Sequence, residues 1–354
     1  MAKNYSFFSV YYVWSSKASK IKYFVRKQIK QSLVFFTALL MILSIPDFIF
    51  SGTFPMTSSN REFLENAKSI VGYDGNSIFY KEHRVKSSYP ALIFLHDVND
   101  YSAYYEELIK YYNNKGLSVY VMDINGYGLS KKTFNNYVDF FYPVNDLEIL
   151  INELSLGNNL YLAGIGMGAN IAAAFAIKYP SQVSKLVLIS PFTGLFIGGI
   201  PLPLNLIRKT AAFLGNLKNK GLHVGQIKIP MTAIDAAKLS SRDEFVYRYN
   251  NDPAIYHGDL PLAVVSILYE SIVFVNDNAF AIKVPTLVLN GCDDVVPLES
   301  MELYYNKLGT LDKKMIKYNN SRHNLLNDVE SEIVLKDIYS WFVEGHINDK
   351  SSQN

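Results

Sequence analysis

The 354-residue sequence predicts an α/β fold in which a mostly parallel central sheet is flanked by helices. Three observations carry that expectation. Short apolar runs are continuous rather than alternating, as strands covered on both faces require. Helical stretches separate them, the rhythm of a parallel sheet. Polar or glycine positions then follow directly on the runs, where an open α/β sheet binds its ligands.

Taken in order, residues 91–95 form the first apolar run and end at His96. Residues 117–122 form the second, ending at Asp123, and 160–163 the third, shortly before Gly166. The fourth, 186–189, precedes Ser190, and 286–289 is the fifth. Helices are expected over 101–113, 143–153, 169–178 and 298–307 between and after these strands. Residues 191–282 break the rhythm with helical, proline-containing sequence, so they read as a helical cap inserted after the strand ending near Ser190. The core is then 65–190 together with 283–345. His96, Asp123, Gly166 and Ser190 should share one face of the sheet.

Composition removes several function classes. A net charge of +2, without basic residues massed on the folded part, gives no support to nucleic-acid binding. The single cysteine, Cys292, excludes an internal disulfide and a cysteine-based zinc site. The amino terminus has a different character. Lys17, Lys20, Lys22, Arg26, Lys27 and Lys30 precede an apolar stretch over 33–50 that only Pro46 and Asp47 interrupt. We read 1–30 as a basic cytoplasmic tail, 31–50 as a membrane anchor helix, 51–64 as a linker and 346–354 as a tail. Positive charge before the helix places the amino terminus in the cytoplasm and the main domain on the other side. An interfacial anchor and a cleaved signal peptide are the alternatives.

The third strand runs into Gly164-Ile165-Gly166-Met167-Gly168-Ala169-Asn170 and then a small apolar helix. A nucleophile elbow, Gly-x-Ser-x-Gly, is a turn of this kind. Here Gly166 stands at the serine position. Asp123-Ile124-Asn125-Gly126-Tyr127-Gly128-Leu129-Ser130 follows the second strand, and Leu95-His96-Asp97 the first. Later come Leu239-Ser240-Ser241-Arg242-Asp243, Asn251-Asp252-Pro253, the run from Pro285 to Pro297 through Asp293-Asp294, and Ser321-Arg322-His323-Asn324. In this order the motifs resemble the monoacylglycerol lipase and lysophospholipase branch of the α/β-hydrolases, over residues 65–345. Where that family has His-Gly and Gly-His-Ser-Met-Gly, this chain has His96-Asp97 and Gly164-Ile165-Gly166-Met167-Gly168.

The resemblance implies catalytic positions at Gly166, Asp294 and His323, in the chain order such folds require. Asp294, or its neighbour Asp293, would orient the His323 ring, which would act as general base. The backbone N–H groups of Val98 and Met167 would form the oxyanion hole. His96, Asp97 and Ile165 would border the substrate, with His96 bracing the oxyanion loop. Asp97 replaces a glycine, and a carboxylate beside a developing oxyanion is unfavourable unless it points away. The ligand implied is a lipid or acyl ester, with no metal or organic cofactor, and no protein partner is indicated.

Three readings of Gly166 stand at this point. Glycine carries no nucleophile, and no serine, threonine or cysteine lies between Leu156 and Pro180 to replace it. Hydrolysis would then be impaired, with a binding pocket retained or the fold kept only as a scaffold. Alternatively, the Asp294–His323 dyad activates water or substrate directly. Third, Gly164-x-Gly166-x-x-Ala169 matches a dinucleotide fingerprint, but no acid ends the next strand.

Overall fold

The computed structural model describes residues 67–343 apart from 87–88, 99, 131–138, 198–199, 220–227, 230–234, 256 and 258–259. The tail, anchor and linker expected over 1–64 and the tail at 346–354 lie outside the described residues. Six parallel strands form the body of the sheet: β3 Leu92–Leu95, β4 Val119–Met122, β5 Leu160–Ile165, β6 Val183–Ile189, β7 Thr286–Gly291 and β8 Lys313–Tyr318. Before them come β1 Lys68–Val71 and β2 Ser77–His83, an antiparallel pair added at the β4 edge. The order across the sheet is β1-β2-β4-β3-β5-β6-β7-β8. β5 is wholly buried near the middle, which explains why its sequence is an unbroken apolar run.

Successive residues of each strand point to opposite faces. Ile93 and Leu95 face one core layer, with Leu162, Leu186, Leu188 and Val288. That layer is covered by helices α2 Phe141–Glu153, α3 Met167–Lys178, α7 Leu262–Asn278 and α8 Leu298–Lys307. Leu92 and Phe94 face the other layer, with Tyr161, Ala163, Leu287 and Leu289, under α1 Glu106–Asn114 and α9 Ser331–Val343. Helix α3 can press close to the sheet because its first two turns are Met-Gly-Ala-Asn-Ile-Ala-Ala-Ala.

Between β6 and β7 lie α4 Leu204–Asn219, α5 Ala236–Leu239, α6 Asp243–Asn251 and α7, with two short two-stranded ribbons. Helix α7 belongs to the segment read as a cap, yet its Val264, Ile267, Ile272 and Val275 join the α3 side of the core. Among the described residues one stretch, Leu262–Ala281, is long and apolar enough to cross a bilayer, and over half of its apolar window is buried inside the protein. It packs on α3 and α4.

Candidate active site

The site grows from the β5–α3 turn. Gly166 takes φ 53° and ψ −116°, a region open to glycine and strained for other residues. Close approach on both sides also selects glycine. A Cβ on Gly164 would lie 2.3 Å from the Gly168 carbonyl oxygen, and one on Gly168 would lie 2.3 Å from that of Leu95. Strand, turn and helix are thereby pressed against the end of β3, from which the next residues emerge.

Asp97, two residues past β3, turns its side chain into this turn. A Cβ built on Gly166 would sit 1.9 Å from Asp97 Oδ1 and 2.6 Å from Oδ2. The carboxylate therefore fills the space a side chain at position 166 would need. Oδ1 accepts N–H groups from Val98, at 2.6 Å, and Met167, at 2.8 Å. These are the two donors expected for an oxyanion hole. Met167 also opens α3, whose amino-terminal dipole favours an anion. Far from pointing away, Asp97 places its own charge in the hole.

Asp97 Oδ2 lies 2.9 Å from His323 Nε2. On the other side of the ring, Nδ1 is 2.6 Å from Asp294 Oδ1, which also accepts the Val296 N–H at 2.9 Å. Asp293 instead turns outward to Arg322, so of the two adjacent acids Asp294 is the one that meets the histidine. Phe192 stacks on the ring with centroids 5.2 Å apart. Burial works to lower the His323 pKa, but Asp294 and then Asp97 outweigh it and hold the ring up at about 10. At neutral pH His323 is therefore an imidazolium donating one N–H to each carboxylate.

The histidine loop is held by the 239–242 motif together with Asp328, a residue that no motif includes. Asp328 accepts the N–H groups of Arg322, at 2.7 Å, and Ser241, at 2.9 Å. Asn324 N–H donates to Leu239 O at 2.7 Å, and Ser240 Oγ to Asn327 O at 2.8 Å. The 239–242 segment thus clamps the loop that carries His323. The motif brings Ser240 and Ser241 to notice, but nothing in the sequence points to Asp328 as the acid that Ser241 meets.

His96 lies behind the site. Its Nε2 accepts the Ile124 N–H at 2.8 Å, which leaves Nδ1–H to donate to Asp97 O at 2.7 Å. Burial pushes its pKa down, so the ring is neutral and ties the loop after β3 to the loop after β4. Asp123 steadies that second loop by accepting the N–H groups of Ser102 and Leu129, each at 2.9 Å. Ser190, at the end of β6, is buried with φ 44°. Ile165 is fully buried in the core layer under α1 and α9, apart from the cluster of polar groups. The structure thus brings Asp97, Val98, Gly166, Met167, Asp294 and His323 together, with His96 one layer back. No group of three or more His, Cys, Asp or Glu residues suited to a metal occurs among the described residues.

Known proteins share this fold. The family model described as serine aminopeptidase, S33, matches residues 87–330, more than half of the chain. The chain is 26% identical over 293 residues to a monoacylglycerol lipase of Mycolicibacterium smegmatis, covering 81% of this chain and 99% of that protein. It is 27% identical over 283 residues to the human monoglyceride lipase, covering 77% and 88%. Among solved structures, a soluble variant of the Saccharomyces cerevisiae monoglyceride lipase bound to a substrate analogue superimposes with a TM-score of 0.65 at 18% identity, over 85% of this chain and 99% of that one. With the family match, the sheet order and the elbow in agreement, the chain belongs to the serine aminopeptidase S33 family of α/β-hydrolases and resembles its monoacylglycerol lipases.

Proposed function

We propose that this protein is a membrane-anchored, lipid-binding member of its family that does not hydrolyse esters. The observation that carries the reading is the Asp97 carboxylate, which takes up both the space of a nucleophile at position 166 and the two N–H donors of the oxyanion hole. Ester hydrolysis in this fold needs an attacking oxygen, a base to deprotonate it and free donors for the oxyanion. Gly166 supplies no oxygen. His323 holds a proton on the nitrogen that should accept one, and Val98 and Met167 already serve Asp97. Direct activation of water by the Asp294–His323 pair meets the same obstacle. A pocket for an apolar chain is consistent with Val98, Met167 and Phe192, all members of one core layer beside the carboxylate. The lipid class is inferred from the monoacylglycerol lipases that the chain resembles.

The test uses the full chain in detergent. It should bind a non-hydrolysable ether analogue of a monoacylglycerol, measured by isothermal calorimetry, while leaving the ester itself intact. Ester turnover that disappears in His323→Ala would overturn the reading.

The anchor is a separate claim, supported by the basic residues ahead of the apolar 33–50 stretch. In cell fractionation the full chain should stay with membranes through an alkaline carbonate wash, and a chain lacking residues 1–50 should be released. Retention of the shortened chain would rule out a single amino-terminal anchor.

A further inference from the structure

We infer that Asp97 is itself a covalent nucleophile, acting on an apolar chain that ends in a saturated carbon bearing a weakly basic leaving group. The geometry divides the work between its two oxygens. Oδ1 lies between the Val98 and Met167 N–H groups, and Oδ2 faces His323 Nε2. Asp97 is buried, its side chain keeping 8% exposure beside a ring with 1%. Its neighbours Val98, Met167 and Phe192 are apolar, which suits an apolar chain beside the carboxylate.

The electrophile follows from the chemistry of a carboxylate. Attack on an ester carbonyl would give an anhydride, which the departing alkoxide would reverse. Attack on a saturated carbon gives an ordinary ester, and the leaving group departs as a stable anion. In the first step an Oδ2 lone pair forms the bond to carbon while the carbon–leaving-group bond breaks and its electron pair goes with the anion. Asp97 is then a neutral alkyl ester, with its carbonyl oxygen Oδ1 already between two donors.

The loss of that charge changes His323. Of the two carboxylates that kept it protonated, only Asp294 remains, so the ring can release its Nε2 proton to solvent and become a base. It takes a proton from water as the water oxygen bonds to Asp97 Cγ. The negative charge collects on Oδ1, between Val98 and Met167 N–H, the placement that stabilises a tetrahedral oxyanion. Collapse breaks the Cγ–Oδ2 bond, and His323 returns the proton to the departing alcohol. The net reaction turns R–X and water into R–OH, a proton and X⁻. The alcohol carries away the old Oδ2, and the water oxygen stays in Asp97.

That exchange of oxygen is the test. The full-length protein, in excess over 1-bromohexane or hexyl methanesulfonate in ¹⁸O-water, is digested after one turnover, and the Asp97 peptide and the hexanol are analysed by mass spectrometry. The label should appear in Asp97, with unlabelled hexanol. In His323→Gln the ester should persist, seen as one hexyl group per chain on the Asp97 peptide, and Asp97→Asn should show neither label nor adduct. Labelled hexanol with unlabelled Asp97 would make Asp97 at most a base. The absence of hexanol and adduct from the native protein would make it a fixed plug of the hole. Both outcomes overturn the inference. Neither depends on ester hydrolysis or membrane attachment, so it can fail while the proposed function stands, and the reverse.

Discussion

Gly166→Ser alone should leave ester hydrolysis at background, whereas Asp97→Gly combined with Gly166→Ser should raise it by about 10³-fold or more, the scale on which triad nucleophiles act. Serine at 166 would put its Cβ 1.9 Å from Asp97 Oδ1, and it would also have to adopt φ 53°. Strain of that kind costs about 1–3 kcal/mol, which the surrounding structure can sustain only if the space is empty. Removing the Asp97 side chain frees that space and both N–H donors. It also strips His323 of its second carboxylate, so the ring pKa falls toward a range in which Nε2 can accept the serine proton. The comparison is made on a monoacylglycerol and a short chromogenic ester, with the full chain and both single variants beside the double one. Activity in Gly166→Ser alone would mean that Asp97 swings out of the hole at little cost. An inactive double variant with unchanged melting would mean that more than the nucleophile has been lost.

The largest effect on stability should come from Asp294→Ala. Asp294 and His323 each retain only 1% side-chain exposure, and removing one partner of a buried ion pair typically costs about 3–5 kcal/mol. The neighbouring Asp293→Ala should change stability by no more than about 0.5 kcal/mol, because that carboxylate is 80% exposed and its pairing with Arg322 is screened by water. Urea unfolding of the two variants makes the comparison directly. A pH series adds the sign. His323 has a folded pKa of about 10, above the ordinary histidine value of 6.5. The stability its proton confers is therefore complete below about pH 6.5 and is lost as the pH rises toward 10. In Asp294→Ala that alkaline decline should flatten. Equal losses for Asp293 and Asp294, or an unchanged alkaline decline, would remove the buried imidazolium from the account.

How much of this is legible in the sequence depends on how completely an element is buried. β3 to β7 are central, and each carries a continuous apolar run that stands out, in β6 over Leu186–Ile189 and in β7 over Leu287–Leu289. β8, at the edge, reads Lys-Lys-Met-Ile-Lys-Tyr, with only its last residue fully buried, and no apolar run announces it. β1 and β2 are equally mixed, and a Lys68–Glu82 ion pair joins them across the surface. Helix α9 does carry a periodic apolar stripe at Val334, Leu335, Ile338 and Phe342, which favours a helix over another strand. At the site, chain order is enough to group Gly166, Asp294 and His323. It does not tell Asp294 from Asp293, because a one-residue step in a loop decides which acid faces inward. Nor does it reveal that the two departures from the family motifs, Asp97 and Gly166, occupy the same volume. A side chain lost at one place and gained at another are separate facts until the β3 and β5 loops are set side by side.

That shared volume couples positions 97 and 166. In its present orientation an acid at 97 fits only a turn with no side chain at 166, since a Cβ there would lie 1.9 Å from Asp97 Oδ1. Neither single change converts this site to a serine site: a serine at 166 meets the carboxylate, and removing the carboxylate supplies no nucleophile. The stepwise route between the two runs, in either direction, through a protein with neither group, whose turn is vacant.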